Sequence, residues 1–243
     1  MRHQLRRSRC RRQRIQRDGL PRSKEFCCRC YDVSRIIRAL TEAGVLFRRG
    51  GRFRLSPDLL ADHIIEKACI GAGGISTGYA EKVFAAAGDR YIEHVLLNLG
   101  KLDWRLANGR PSNSRLLEGI WDQLTPSTDY GDPNIKAVTA VAYFQPERAL
   151  SFAEKLIRDG QYLRELPELV KYAAYTHDYT KRACECLWEL GKGDARELNP
   201  HPGHAIRILS ELCSVRPDKP LLFNEALVEF GLSLLDRPDA WGQ

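Results

Sequence analysis

Residues 40–69 read LTEAGVLFRRGGRFRLSPDLLADHIIEKAC, and this stretch decides how the first ordered part of the chain folds. Two short runs rich in Val, Phe and Leu flank Gly50 and Gly51. A Gly-Gly pair between such runs predicts a two-residue hairpin turn, because both glycines can take a positive φ. Pro57 fits the first turn of a helix that follows the hairpin.

A helix is also predicted before the hairpin, over residues 31–44, where apolar residues recur at helical spacing. Asp32 can cap its start, and Gly44 fits its end. The order helix, β-hairpin, helix is that of the second half of a winged-helix unit. We therefore predict a partial winged-helix domain over residues 31–70.

From residue 76 onward the chain repeats helical periodicity in one segment after another. The predicted helices cover residues 77–87, 89–106, 113–124, 133–143, 146–158, 163–176, 179–191, 203–215 and 220–235. Short links rich in turn residues between amphipathic helices indicate antiparallel pairs that stack as an α-solenoid. The predicted fold class is mainly α: a partial winged helix, then a HEAT/TPR-like α-solenoid over residues 76–236. HEAT-like repeats are favoured, since the tetratricopeptide consensus is absent.

The positive charge of the chain belongs to its first residues. Residues 1–24 hold ten Lys and Arg and one Asp, whereas the whole chain of 243 residues has a net charge of +7. The body is therefore close to neutral and gives no argument for a nucleic-acid-binding surface. Residues 1–30 lack hydrophobic periodicity and are predicted to form a disordered or weakly helical basic tail. Residues 237–243 are predicted to form a C-terminal tail.

No apolar run approaches the length of a membrane span, and no apolar stretch follows the basic N-terminus as in a secretory signal. These features predict a cytoplasmic protein without a membrane partner, in which the eight cysteines are free thiols. The cluster Cys27, Cys28 and Cys30 lacks the second ligand pair that a structural zinc site usually has.

No catalytic, cofactor-binding or metal-binding residue is predicted. Residues 70–82, IGAGGISTGYAEK, are Gly-rich but lack the Gly-Lys-Ser/Thr of a phosphate-binding loop, so we interpret them as a flexible linker. The scattered histidines form no zinc-binding pair, and each is interpreted as structural. An enzyme whose site is assembled from scattered residues stays an open alternative; a pocket with several perturbed carboxylates or histidines would favour it.

Four arginines of the predicted hairpin, Arg48, Arg49, Arg52 and Arg54, are candidate nucleic-acid contacts, because basic residues of a wing touch phosphates in DNA-binding winged helices. The alternative is that these side chains keep a small two-stranded sheet soluble and protect its edges.

Three further stretches join residues 40–69 in a resemblance. They are STGYAEKVF (residues 76–84), LLNLGKLDWRL (residues 96–106) and CLWELGKGDARELNPHPGHAIRILSEL (residues 186–212). Together they resemble the winged helix and helical repeats that follow the nucleotide-binding module in bacterial signal-transduction ATPases with numerous domains (STAND-type P-loop NTPases).

The resemblance implies an upstream module that binds ATP and Mg²⁺, a winged helix that relays its state, and a helical array that senses a ligand or partner. No ATP-binding motif matches a position in this chain, so the expected function is non-catalytic: a regulatory or protein-interaction fragment of a signalling or defence ATPase. We expect a protein partner or an ATPase module as its partner. A truncated or interrupted gene would explain the missing module, and residues 1–30 would fit translation from a wrong frame. The alternative function is a nucleic-acid-binding winged-helix regulator.

Overall fold

The computed structural model describes most of the chain. The described residues are 24–56, 58–71, 75–107, 116–124, 131–198, 200–214 and 221–237. Within these ranges the protein is mainly helical, with ten α-helices and one two-stranded antiparallel sheet. None of the helices in these ranges is long and apolar enough to cross a membrane. Of the predicted tails, residues 1–30 and 237–243, the parts 1–23 and 238–243 lie outside the described residues.

The helices and strands follow one another in a simple order. They are α1 (Lys24–Glu42), β1 (Leu46–Arg49), β2 (Arg52–Leu55), α2 (Asp58–Cys69), α3 (Tyr79–Leu106), α4 (Glu118–Trp121), α5 (Pro133–Val141), α6 (Pro146–Arg158), α7 (Leu166–Ala174), α8 (Thr180–Gly193), α9 (Ala205–Cys213) and α10 (Leu221–Leu235). By its contacts the chain divides into two units, residues 1–61 and 62–243. The division falls inside α2, whereas the sequence placed a domain boundary at residue 70.

The first unit contains the predicted hairpin. β1 and β2 pair antiparallel, with Leu46 opposite Leu55 at the open end. Gly50 and Gly51 form the two-residue turn with φ values of 56° and 78°, which the expected turn type requires. Gly44, at φ 70°, ends α1 as predicted.

α1 begins at Lys24, earlier than the start predicted at residue 31, so residues 24–30 belong to a helix and not to the tail. The physical reason is helix propagation. Once a turn exists, each added residue gains a hydrogen bond, so a helix can extend through sequence that has no apolar stripe.

The second unit holds the hydrophobic core, whose buried apolar residues lie between Cys69 and Phe230. Two rows of helices build it. In the first row α5 contacts α7 and α7 contacts α9; in the second row α6 contacts α8 and α8 contacts α10. Each helix from α5 to α9 also contacts its successor in the chain. These contacts bury the apolar stripe of each helix between neighbours.

α3 precedes the two rows and packs along α5. Its hydrogen bonding runs from Tyr79 to Leu106, but Gly88 has non-helical angles, with φ 58° and ψ 175°. The break agrees with the two segments predicted on either side of residue 88. Gly100 is buried in α3 at its close approach to Val141 of α5.

The Gly-rich segment between α2 and α3 is more ordered than the predicted flexible linker. Ile70 and Ser76 form an isolated antiparallel bridge, and the Thr77 hydroxyl donates to the carbonyl of Ala68 at 2.6 Å. The Gly71 amide donates to the carbonyl of Ile75 at 2.9 Å. These bonds hold residues 68–71 against residues 75–77, and residues 72–74 lie outside the described residues. The sequence did not predict this pairing, because hydrogen bonds between residues on either side of a loop leave no periodic pattern in the sequence.

Helix α4 is shorter than the predicted segment 113–124. Of the residues described there, only Glu118–Trp121 are α-helical. After Trp121, the amide of Gln123 donates to the carbonyl of Ile120, and the amide of Leu124 donates to the carbonyl of Trp121. Hydrogen bonds over three residues are those of a tighter, 3-10 turn, which often ends an α-helix. The predicted start of this segment lies outside the described residues.

Candidate interaction surfaces

The register of the hairpin divides its four arginines between two faces. Opposite residues of an antiparallel pair lie on one face, and successive residues alternate between faces. The pairs Phe47 with Arg54 and Arg49 with Arg52 therefore share one face, which we call the basic face. Arg48 lies on the other face, opposite Phe53. The structure thus brings together three of the four predicted arginines and separates Arg48 from them.

The basic face is accessible. Its arginines are exposed, and Phe47 exposes 53% of its surface. No acidic residue occurs between residues 45 and 56. On the opposite face Leu46 and Leu55 are only partly exposed. An exposed aromatic ring among guanidinium groups can stack on a base or meet a phosphate backbone.

A second surface is a groove of the second unit, formed where α3, α5 and α7 meet. It encloses about 490 Å³. The charged and aromatic side chains that line this α3–α5–α7 groove are Glu93, Lys136, Tyr143, Glu165, Glu168 and Tyr172, and Ile135, Thr139 and Ala140 complete the lining. An adjoining cavity of about 360 Å³ shares Glu93 and Lys136 and adds Asp89. The groove is therefore acidic and aromatic.

Hydrogen bonds position two of the groove carboxylates. The Gly131 amide donates to Oε1 of Glu165 at 3.1 Å, and the Tyr172 hydroxyl donates to Oε1 of Glu168 at 3.3 Å. The negative charge of Glu168 raises the pKa of Tyr172, so this phenol stays a donor. Tyr143 and Tyr172 nevertheless expose 45% and 40% of their surfaces.

The sequence did not predict the groove. Tyr143 and Tyr172 lie at the ends of apolar stripes, where an aromatic residue is typical of a core. Their exposure follows from which helix faces meet, and that is settled by tertiary packing. From the sequence we could predict only that the helical array presents a surface to a partner. The sequence did not indicate which residues of the array make the contacts.

Arg182 joins α6 to α8 in a compact ion-pair network. Its guanidinium donates to both carboxylate oxygens of Glu154, at 2.6 and 2.8 Å, and to Glu147 at 2.8 Å. The hydrogen bonds from Arg182 lower the pKa of Glu154. Because the guanidinium and the carboxylates form hydrogen bonds and ion pairs with one another, we interpret the network as a structural link between α6 and α8 and not as a catalytic site.

Of the scattered histidines, the structure gives His204 a clear structural part. Its Nδ1 accepts a hydrogen bond from the Ile206 amide at 3.2 Å and so caps the start of α9. Its Nε2 lies 3.7 Å from Oδ2 of Asp194. The Arg196 guanidinium beside Asp194 lowers the pKa of that carboxyl. His63 and His177 lie at the surface beside Glu66 and Asp178.

Asp103 of α3 is a titratable group whose side chain is fully buried. Its Oδ2 accepts a hydrogen bond from Nε2 of Gln145 at 2.9 Å, and its Oδ1 has no hydrogen-bond partner. Burial raises the pKa of Asp103 to about 6, although the hydrogen bond from Gln145 and the charge of Arg148 act in the opposite direction. Asp103 lines neither of the two cavities described above.

The cysteines and other metal-ligating residues form no metal centre in the part of the chain that the structure describes. Cys69, Cys184 and Cys186 are buried, and Cys213 is partly buried. The predicted thiol cluster Cys27, Cys28 and Cys30 lies outside the described side chains.

α10 presents a third surface, an apolar one. Val228, Leu232 and Leu235 expose 54%, 59% and 60% of their surfaces. Their spacing places them along one side of the helix.

Comparison with protein-family models, with curated proteins and with solved structures found no match to this chain.

Proposed function

We propose that this chain is a non-catalytic regulatory module that binds a protein partner through its helical array, within a signalling ATPase system of the STAND type. The observation that carries the proposal is the α3–α5–α7 groove, in which Tyr143 and Tyr172 are held open to solvent. Tyrosine is one of the residue types enriched among the side chains that anchor a protein partner, and such anchors fill concave sites.

The proposal includes the architecture of both units. The two rows of helices support a HEAT-like α-solenoid, because each helix mainly contacts its neighbours in the chain and in its own row. The order α1, hairpin, α2 supports the second half of a winged helix. The link to an ATPase rests on the sequence resemblance alone.

The first experiment tests the partner and the groove together. The DNA upstream of this gene should encode a P-loop protein, and that protein should bind the purified chain in a calorimetric titration. Tyr143→Ala should weaken this binding by about tenfold or more, which corresponds to the loss of one aromatic anchor.

The matched control is Tyr91→Ala, since Tyr91 exposes 46% of its surface but lines neither cavity. This variant should bind as the unmodified chain does. Upstream DNA without a P-loop reading frame would contradict the link to an ATPase. Equal effects of Tyr143→Ala and Tyr91→Ala would contradict the proposal that the partner binds in the groove.

The second candidate function is nucleic-acid binding by the hairpin. The observation that favours it is the basic face, where Arg49, Arg52 and Arg54 surround Phe47. On this proposal the arginines contact phosphates and Phe47 stacks on an exposed base, while Arg48 points away.

Anisotropy titrations of the full chain with labelled duplex and single-stranded DNA test this second candidate. Arg49→Ala with Arg52→Ala should make the negative slope of log affinity against log salt shallower by about 2, because each lost phosphate contact removes about one released counterion. Arg48→Ala is the matched control and should leave the slope unchanged. The proposal is wrong if the double variant and Arg48→Ala have the same salt slope and if deletion of residues 1–23 abolishes binding. That result would assign DNA binding to the basic N-terminal residues.

A further inference from the structure

We infer that the α3–α5–α7 groove takes Lys or Arg side chains from an extended basic segment of the partner protein. This inference rests on the proposed partner-binding function and specifies the chemistry of the partner. Three properties of the groove support it: the charge of its lining, the placement of its two tyrosine rings and its volume.

The charge of the lining is the first step. Among the described residues that line the groove and its adjoining cavity, four are carboxylates, namely Asp89, Glu93, Glu165 and Glu168, and one is a cation, Lys136. A concave site with this excess of negative charge attracts cations and repels phosphates and carboxylates. Nucleic acid and anionic lipid therefore do not fit the groove.

The placement of the rings is the second step. Tyr143 follows the end of α5, and Tyr172 belongs to α7, so the rings come from neighbouring helices of the first row. The face of a tyrosine ring attracts an ammonium or guanidinium group, and its edge packs against the methylene stem of Lys or Arg. The chain already shows this contact nearby, where Nζ of Lys101 lies 5.4 Å from the ring centre of Phe144.

The size of the groove is the third step. Its volume of about 490 Å³ lies within the range of pockets that enclose ligand-sized groups. It is too small for a folded element and large enough for long side chains of an extended segment. The adjoining cavity, reached past Glu93 and Lys136, can hold a further basic side chain of the same segment.

The experiment uses fluorescein-labelled synthetic peptides in anisotropy titrations with the full chain. One peptide carries several Arg residues in a Gly, Ser and Leu background, and the reference peptide carries Gln at the same positions. The Arg peptide should bind about tenfold or more tightly than the Gln peptide. Glu168→Gln and Tyr143→Ala should each remove most of this preference, whereas Tyr172→Phe, which keeps the ring, should retain it.

Two control variants separate the groove from charge in general. Glu229→Gln removes one exposed carboxylate from α10, and Tyr91→Ala removes one exposed ring outside the groove. Both should bind the Arg peptide as the unmodified chain does. Circular dichroism of every variant shows whether it is folded.

Three outcomes would overturn the inference: no difference between the Arg and Gln peptides, equal losses for Glu168→Gln and Glu229→Gln, or displacement of the peptide by spermidine at equal concentration. The last outcome would assign the groove to a free polyamine. If the peptides fail but the P-loop protein still binds in a manner that depends on Tyr143, the partner site stands and its preference for basic side chains is wrong.

Discussion

At the scale of single residues, Asp103 is a carboxyl group whose burial displaces its pKa far from the ordinary value. The side chain is fully buried and has one hydrogen-bond donor, Gln145, for its two oxygens. Desolvation penalises the carboxylate more than the carboxylic acid, and the pKa therefore rises from 3.8 to about 6. A group whose pKa is higher in the folded than in the unfolded chain stabilises the fold below the unfolded pKa, and that contribution is lost as pH rises through the folded pKa.

Asp103→Asn should remove this pH dependence. The amide keeps an oxygen to accept the hydrogen bond from Gln145 and cannot ionise. Measured by urea unfolding, the stability of the variant relative to the unmodified chain should increase by about 2 kcal/mol between pH 4 and pH 8, since each unit of pKa shift is worth about 1.4 kcal/mol and the unfolded carboxyl is already partly ionised at pH 4. The matched control is Asp122→Asn at the surface. Its stability relative to the unmodified chain should change little between pH 4 and pH 8. A difference for Asp103→Asn that is constant over this range would contradict the prediction.

Sequence reasoning did not single out Asp103 or Gln145. Asp103 stands between Leu102 and Trp104 in α3, and a carboxylate in an amphipathic helix is usually assigned to the solvent side. Only the packing of α5 along α3 buries it. The four hairpin arginines could be named from the sequence, but their division between two faces needed the register of the strands.

At the scale of elements, the contact between α3 and α5 depends on a missing side chain. A Cβ added at Gly100 would overlap Cγ2 of Val141, and a β-branched side chain has little freedom to move aside. Gly100→Ala should therefore destabilise the fold by about 1–3 kcal/mol through overpacking, measured by urea unfolding.

Gly231 of α10 supplies the control for this prediction, because a Cβ added there would meet nothing within 4 Å. Gly231→Ala should stabilise the fold by up to about 1 kcal/mol, the usual gain of Ala over Gly in a helix. A gain in stability for both variants would mean that α3 and α5 do not approach closely at Gly100.

The positions of most elements could be predicted because the turns have their own chemistry. Asp132 accepts a hydrogen bond from the Asn134 amide at 2.6 Å and Pro133 opens α5, so this boundary was readable. The predicted start of α1 and the predicted length of α4 were wrong. Residues 24–30 have no apolar periodicity that indicates a helix, and Leu117 before α4 makes no side-chain cap hydrogen bond.

At the scale of the whole molecule, the two units differ in burial. Between residues 33 and 61 no side chain that the structure describes is buried, whereas the second unit has a continuous core. Few buried contacts mean a small free energy of local opening. Amides of α1 and the hairpin should therefore exchange with deuterium much faster than those of α7 and α8, measured by mass spectrometry of the full chain. Equal protection of both regions would show that the first unit is stabilised by contacts not described above.

The pattern of contacts between the helices also bears on how the second unit folds. From α5 to α10, each helix contacts helices one or two places along the chain. Such contacts close short loops, and short loops lose little entropy, so this part of the chain should collapse fast and without a search for distant partners. Folding can begin at any adjacent pair of helices and spread in both directions. α3 also contacts a helix two places along, α5, and the segment between them is shorter than the one between α7 and α9, so α3 should dock as readily as the later helices do.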